Sequence, residues 1–272
     1  MTASADPKGL GDLERQLLAA ITRLERSVVS VEEIRGVMSD HAPFLPQLLA
    51  RLTEKGWLHR VKRGHYAVVP ITAASGSFAI ENAFAAAMRL FAPCYISGWS
   101  AAEHWGITEQ VHNAVVVFSA HAQRSAEQRL GGVLYHVRRV RPESIFGTTK
   151  VWAGTEAIEM AGLHRTLLDV LDVPALGGGG RQVLDIARNY WRHRDADADV
   201  ALEQALRLGK GAVLKRLGFT AESFATPGEP WIERCRRGLS AGIALLDPDG
   251  PNTGHIVTRW RLRINVPMPQ EE

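Results

Sequence analysis

The chain lacks most of the features that mark a disulfide scaffold, a membrane protein or a metalloenzyme. Its 272 residues hold two cysteines, Cys94 and Cys235, far apart and outside any CxxC spacing, so neither a disulfide framework nor a zinc site is expected. No apolar run approaches the roughly 18 residues a spanning helix needs, and a stretch such as Ala114 to Phe118 is short. Residues Met1 to Gly9 lack the basic and then apolar order of a secretory signal, which makes the cytoplasm the expected compartment. The ten histidines include no HExxH, and His104, His112 and His121 stand without a matching cysteine or carboxylate pattern.

Catalytic signatures are equally sparse. Gly98-Trp99-Ser100-Ala101-Ala102 misses the second glycine of a nucleophile elbow. Gly177 to Gly180 and Gly209-Lys210-Gly211 do not complete a phosphate-binding loop. Asp247 and Asp249 sit in Leu246-Asp247-Pro248-Asp249-Gly250-Pro251, whose proline and glycine say turn rather than metal-holding strand end. The reading therefore assigns no catalytic residue, no metal and no cofactor, and expects a protein that is not an enzyme.

Hydrophobic residues at 46% and charged residues at 22% are globular proportions, and the length suggests two domains. Lys plus Arg exceed Asp plus Glu by only 32 to 29, so any argument for a nucleic-acid partner rests on where the cations sit.

They concentrate early. Leu13, Leu17, Leu18, Ile21 and Leu24 recur at helical spacing and predict a first helix over 10–24. Ser30 with Glu33 forms a capping-box pattern and predicts a short second helix from Val31 to about Met38. In Pro43 to Lys55, Phe44, Leu45, Leu48, Leu49 and Leu52 form an inward stripe, Gln47, Arg51, Glu54 and Lys55 face outward, and Gly56 ends the helix. Trp57 to Val69 reads as two strands around Lys62, Arg63 and Gly64. Three helices followed by a basic hairpin is the order of a winged helix-turn-helix. Arg51, Lys55, Arg60, Lys62 and Arg63 oppose the single acid Glu54 across 51–63, with His65 alongside. A helix with an exposed polar face beside a cationic wing suits double-stranded DNA: Gln47 and Arg51 are the candidates for base edges, Lys62 and Arg63 for phosphates.

The rest of the chain mixes types. Helices are predicted over 79–90, 97–105, 164–171, 181–193, 197–208 and 212–217, and strands over 114–119, 133–140, 150–153, 242–246 and 258–265. Gly177 to Gly180 is expected to be a mobile connector or a helix entry. Arg259, Arg261 and Arg263, alternating with Trp260, Leu262 and Ile264, would share one strand face and form a second candidate basic surface. The fold class is thus α+β: a flexible start at 1–9, a winged helix-turn-helix over 10–71, and a larger mixed C-terminal domain over 72–272.

The wing Gly56-Trp57-Leu58 to Arg63-Gly64-His65-Tyr66, the stretch Tyr95-Ile96-Ser97-Gly98-Trp99-Ser100-Ala101-Ala102, the segment Arg165-Thr166-Leu167-Leu168-Asp169 and the ending Leu246-Asp247-Pro248 to Trp260-Arg261-Leu262-Arg263-Ile264-Asn265-Val266-Pro267 together resemble the AbiEi-type antitoxins of abortive-infection toxin-antitoxin operons. The resemblance spans about residues 10 to 267 and rests on the order and spacing of these segments. It implies an autorepressor whose N-terminal domain binds inverted repeats upstream of its own operon, with a C-terminal domain that supports repression and counteracts a nucleotidyltransferase-like toxin. It assigns DNA contact to Gln47, Arg51, Lys55, Arg60, Lys62, Arg63 and His65, and structural roles to Ser97 as a helix cap, Trp99 as a core anchor and Arg165 as the partner of a carboxylate. The alternative is a winged-helix regulator with a ligand-binding or protein-binding C-terminal domain and no toxin partner.

Overall fold

The computed structural model describes residues 9–70 and 78–269. In chain order the elements are α1 (Asp12–Thr22), β1 (Val29–Ser30), α2 (Val31–Val37), a 3-10 turn (Ser39–Phe44), α3 (Leu45–Glu54), β2 (Leu58–Lys62), β3 (His65–Val68), α4 (Ala83–Phe91), β4 (Cys94–Ile96), α5 (Gly98–His104), β5 (Ala114–Ser119), β6 (Glu127–Leu130) and β7 (Val133–Arg139). They continue with β8 (Thr148–Ala153), β9 (Glu156–Ala161), α6 (Leu163–Asp172), α7 (Gly180–Arg192), α8 (Ala198–Leu208), α9 (Gly211–Phe224), α10 (Glu229–Arg237), β10 (Ala244–Leu245), β11 (His255–Val257) and β12 (Leu262–Ile264). The protein is a mixed α and β fold.

Two compact units interleave along the chain. One comprises Met1–Cys94, Asn113–Arg139 and Lys150–Glu159, the other Tyr95–His112, Val140–Thr149 and Met160–Glu272. The expected boundary between residues 71 and 72, and residues 1–8 of the expected flexible start, lie outside the described residues.

The N-terminal part of the first unit follows from its sequence pattern. Leu17, Leu18 and Ile21 of α1 are buried with Ile34 of α2 and Leu45, Leu48, Leu49 and Leu52 of α3. The Ser30 hydroxyl accepts from the Glu33 N–H at 3.1 Å, and the Ser30 N–H donates to the Glu33 carboxylate at 2.9 Å, the reciprocal cap that starts α2. Burial pushes the Glu33 carboxyl up, but the Ser30 N–H and Arg89 outweigh it and hold the group below its ordinary value. Gly56 takes a φ of +82° and closes α3 as expected. Strands β1, β3 and β2 form a three-stranded antiparallel sheet in that order.

The predicted third helix is shorter than its pattern, because Ser39–Phe44 winds as a 3-10 turn containing Pro43. Three residues per turn carry Phe44 off the buried stripe. It stands 59% exposed instead of inward.

A six-stranded sheet runs in the order β6-β7-β5-β4-β9-β8. β5 pairs parallel with β7 from Ala114↔Leu134 to Ser119↔Arg139, β6 pairs antiparallel with β7, and β4 pairs parallel with β9. Val115, Val116, Val117 and Phe118 are all buried, as a strand covered on both faces requires.

The core of the second unit is helical. Buried residues of α6, α7, α8, α9 and α10 pack with Leu246, Trp260, Leu262 and Ile264. The predicted terminal strand is broken: Thr258–Trp260 is a 3-10 turn, Arg261 has a φ of +50°, and only Leu262–Ile264 extends, between β10 and β11. The break follows from Trp260, which is fully buried and donates its indole N–H to Glu222 at 2.6 Å. It lies where a Cβ on Gly218 of α9 would come within 2.0 Å of the ring.

Candidate nucleic-acid interface

The outward face of α3 carries Gln47 and Arg51, both exposed, while Leu45, Leu48, Leu49 and Leu52 anchor the opposite face. The Arg51 side chain is 57% exposed, with its Nε 3.8 Å from a Glu14 oxygen. Lys55, predicted on the same face, is engaged inward. Its Nζ lies 2.6 Å from the Glu14 carboxylate and 3.1 Å from the Gly9 carbonyl. Glu14 is itself buried, and the Lys55 bond, with help from the Gly11 N–H, holds its carboxyl below the ordinary value. The sequence offered no sign that Glu14 would be buried, since it lies one turn from the start of an amphipathic helix.

The hairpin sorts its cations too. A bulge shifts the register between Arg60 and Lys62, so Arg60 pairs with Tyr66 and Lys62 with His65. Strict alternation from buried Leu58 would turn Arg60 inward; the extra residue instead leaves His59 and Arg60 both exposed and returns Val61 to the core. Lys62 donates to the Leu90 carbonyl, its Nζ 5.7 Å from the centre of the Phe91 ring, and burial pushes its ammonium below the ordinary value. Arg63, at the hairpin turn, is exposed, and His65 holds its Nδ1 3.2 Å from the Arg63 carbonyl. Of the five cations that cluster in the sequence, Arg51, Arg60 and Arg63 face outward, whereas Lys55 and Lys62 serve contacts within the fold.

A cavity of about 370 Å³ adjoins this face, lined by Pro46, Ala50 and Thr53 of α3, Arg35 of α2, and Arg60 and Tyr66 of the hairpin. Arg35 was not singled out in the sequence. Its signal there was weak, a lone arginine in the last turn of a short helix.

The second basic surface dissolves in three dimensions. Arg259 is paired with Glu222 at 2.8 Å and Glu229 at 2.9 Å, Arg261 donates to the Ser240 carbonyl at 3.0 Å, and Arg263 to the Gly254 carbonyl at 3.2 Å. Because the chain turns at Arg261, the three guanidiniums do not share a strand face.

The segments around Ser97 and Arg165 meet in the second unit. Arg165 and Asp169, each with a side chain only 1% exposed, pair at 2.8 Å across one helical turn of α6. The guanidinium also donates to the Tyr95 hydroxyl at 2.6 Å and to the Ser144 and Phe146 carbonyls. Ser97 stands just before α5 but does not cap it. Its hydroxyl donates to Asp169 at 2.7 Å. Burial pushes the Asp169 carboxyl up against the pull of Arg165. Trp99 is buried and stacks on His112 at 4.5 Å. Such a closed set ties two of the four segments that carry the resemblance to each other, and Tyr95, Ser97, Arg165 and Asp169 are all buried. Asp247, part of the acidic turn, accepts the Gly180 N–H at 2.8 Å. No cluster of three metal-ligating side chains occurs among the described residues, and no described helix is long and apolar enough to cross a membrane.

The architecture has a solved likeness. The crystal structure of the RV2827C protein from Mycobacterium tuberculosis is similar to this chain with a TM-score of 0.63 and 14% identity, covering 96% of this chain and 94% of that one. At that identity the likeness shows the fold alone. No protein-family model and no curated protein matches the chain.

Proposed function

We propose that α1 to β3 form a winged helix-turn-helix and that the protein binds double-stranded DNA with it, acting in the cytoplasm as an autorepressor and antitoxin of the kind it resembles. The observation that carries this reading is the element order α1-β1-α2-α3-β2-β3 with the sheet order β1-β3-β2, which places an exposed α3 face and a hairpin bearing outward arginines in one N-terminal assembly. In such units the third helix enters the major groove and the wing lies along the backbone. Gln47 and Arg51 have the donors to read base edges, Arg51 best suited to the O6 and N7 acceptors of guanine. Arg60, Arg63 and Arg35 supply phosphate contacts. The toxin partner rests on the resemblance alone, and an adjacent gene for a nucleotidyltransferase-like protein is its genomic signature.

Fluorescence anisotropy on the DNA upstream of the gene, with scrambled DNA beside it at two salt concentrations, tests the reading. Specific binding should exceed binding to scrambled DNA by roughly 1000-fold. Reversing Arg51, Arg60 and Arg63 together to glutamate should abolish it, and Arg63→Gln alone should lower the salt slope by about 0.9. Lys62→Met is the internal control, because its ammonium already donates to a carbonyl, and it should leave the slope unchanged. Unaltered affinity in the triple variant would remove the assignment.

A further inference from the structure

Away from the proposed DNA face, α7 in the second unit borders a cavity of about 480 Å³. Three of its lining residues are arginines of one helix: Arg181, Arg188 and Arg192. At 1.5 Å per residue they span roughly 16 Å of helix axis, with intervals of about 10 and 6 Å. Their spacing of seven and four residues returns them to the same side of the helix.

Several features set this apart from an ordinary charged helix face. Arg181 lies in the first turn of α7, whose positive dipole end is met by the Asp247 carboxylate at the Gly180 N–H, and Arg192 lies in the last turn, where the dipole favours a cation. Among the described residues no carboxylate forms an ion pair with Arg181 or Arg192. Arg188 is held by Asp185 at 3.1 Å. Gln182 donates to the Thr108 hydroxyl at 2.9 Å and Asn189 to the Ile107 carbonyl at 3.2 Å, so both amides tie α7 to the chain on the other side of the cavity. The walls are therefore braced independently of the arginines. Exposed arginines at both ends of a helix whose amides brace the cavity wall present their charge to a ligand rather than to the fold.

We propose that this cavity binds an oligophosphate. The cations are spread along the helix rather than converging on one point, which fits an extended polyanion better than a single ion. No aromatic ring lines the cavity, so no surface is offered for stacking a base, and recognition falls on the phosphate chain itself. Asp185 and Glu109 also line it and limit the net positive charge.

Isothermal titration of the full chain with inorganic tripolyphosphate, with ATP and with orthophosphate tests this. Tripolyphosphate should bind at least tenfold tighter than orthophosphate. Arg181→Gln with Arg192→Gln should weaken tripolyphosphate at least about tenfold, since each substitution removes a charge-assisted hydrogen-bond donor. Both residues are exposed, so the ligand-free melting temperature should be unchanged. Asp185→Asn, which removes a facing negative charge, should tighten binding roughly fivefold, a gain that a misfolded variant would not show. ATP binding as tightly as tripolyphosphate places recognition on the phosphate chain alone; tighter ATP binding that is lost in the double variant makes a nucleotide the source. Absence of tripolyphosphate binding at millimolar concentration, or equal binding by the double variant, would overturn the site.

Discussion

At the scale of single residues, charge was assigned by neighbours that the linear chain does not reveal. Lys55 and Lys62 look like Arg51 and Arg63 in sequence, yet a buried carboxylate and a backbone carbonyl draw the lysines inward. The arginines stay out. Arg165 and Asp169 illustrate the same principle in the core, where each ionic group is tolerated only because the other faces it. Asp169→Asn leaves the guanidinium buried with its main counter-charge gone, and we expect a loss of about 3–5 kcal/mol in urea unfolding. Replacing both residues by apolar ones of similar size should recover most of that loss. A single variant as stable as the parent would show that Tyr95 and the two carbonyls satisfy Arg165 unaided.

Elements followed their sequence patterns where the pattern was local. The amphipathic stripe of α1, the capping box of α2, the hairpin turn and the valine-rich β5 are each set by residues within a few positions of one another. Strands β1, β4, β6, β9 and β11 and helix α10 were missed. β1 has only two residues, and β6 has an alternation too polar to stand out, with Glu127 and Arg129 exposed. The predicted terminal strand failed for a long-range reason, the insertion of Trp260 against α9. Gly218 is the residue that admits it. Gly218→Ala should push the indole out of place and destabilise the protein by about 1–3 kcal/mol, accompanied by a change in tryptophan fluorescence as the bond to Glu222 is disturbed. An unchanged unfolding midpoint and spectrum would show that the ring relocates without cost.

For the molecule as a whole, several titratable groups are held in the state that folding prefers. His164, 2.8 Å from the Tyr190 hydroxyl, and His112, stacked on Trp99, are both pushed by burial below the ordinary value of 6.5. The unfolded chain then binds protons at these sites near pH 6.5 while the native state does not. Their contribution is complete above pH 6.5 and is lost as pH falls through their lowered native values. The depressed carboxyls of Glu14 and Glu33 add a further loss below pH 4.5. Urea midpoints should therefore fall between pH 7.5 and 5.5, and His164→Asn should flatten the slope. Equal midpoints across that range would contradict the burial of these imidazoles.

The sequence by itself determined the α+β class, the order of the N-terminal helices and hairpin, and the concentration of positive charge near α3, because periodicity, caps and turn residues act over a few positions. Only the tertiary structure decided which cations face solvent, that Arg259, Arg261 and Arg263 point to separate partners, and that Arg181, Arg188 and Arg192 border one cavity. Those outcomes depend on contacts between residues far apart in the chain. A side chain's orientation is set by whichever distant carbonyl, carboxylate or ring packing brings within reach, and that information is not carried by its neighbours in sequence.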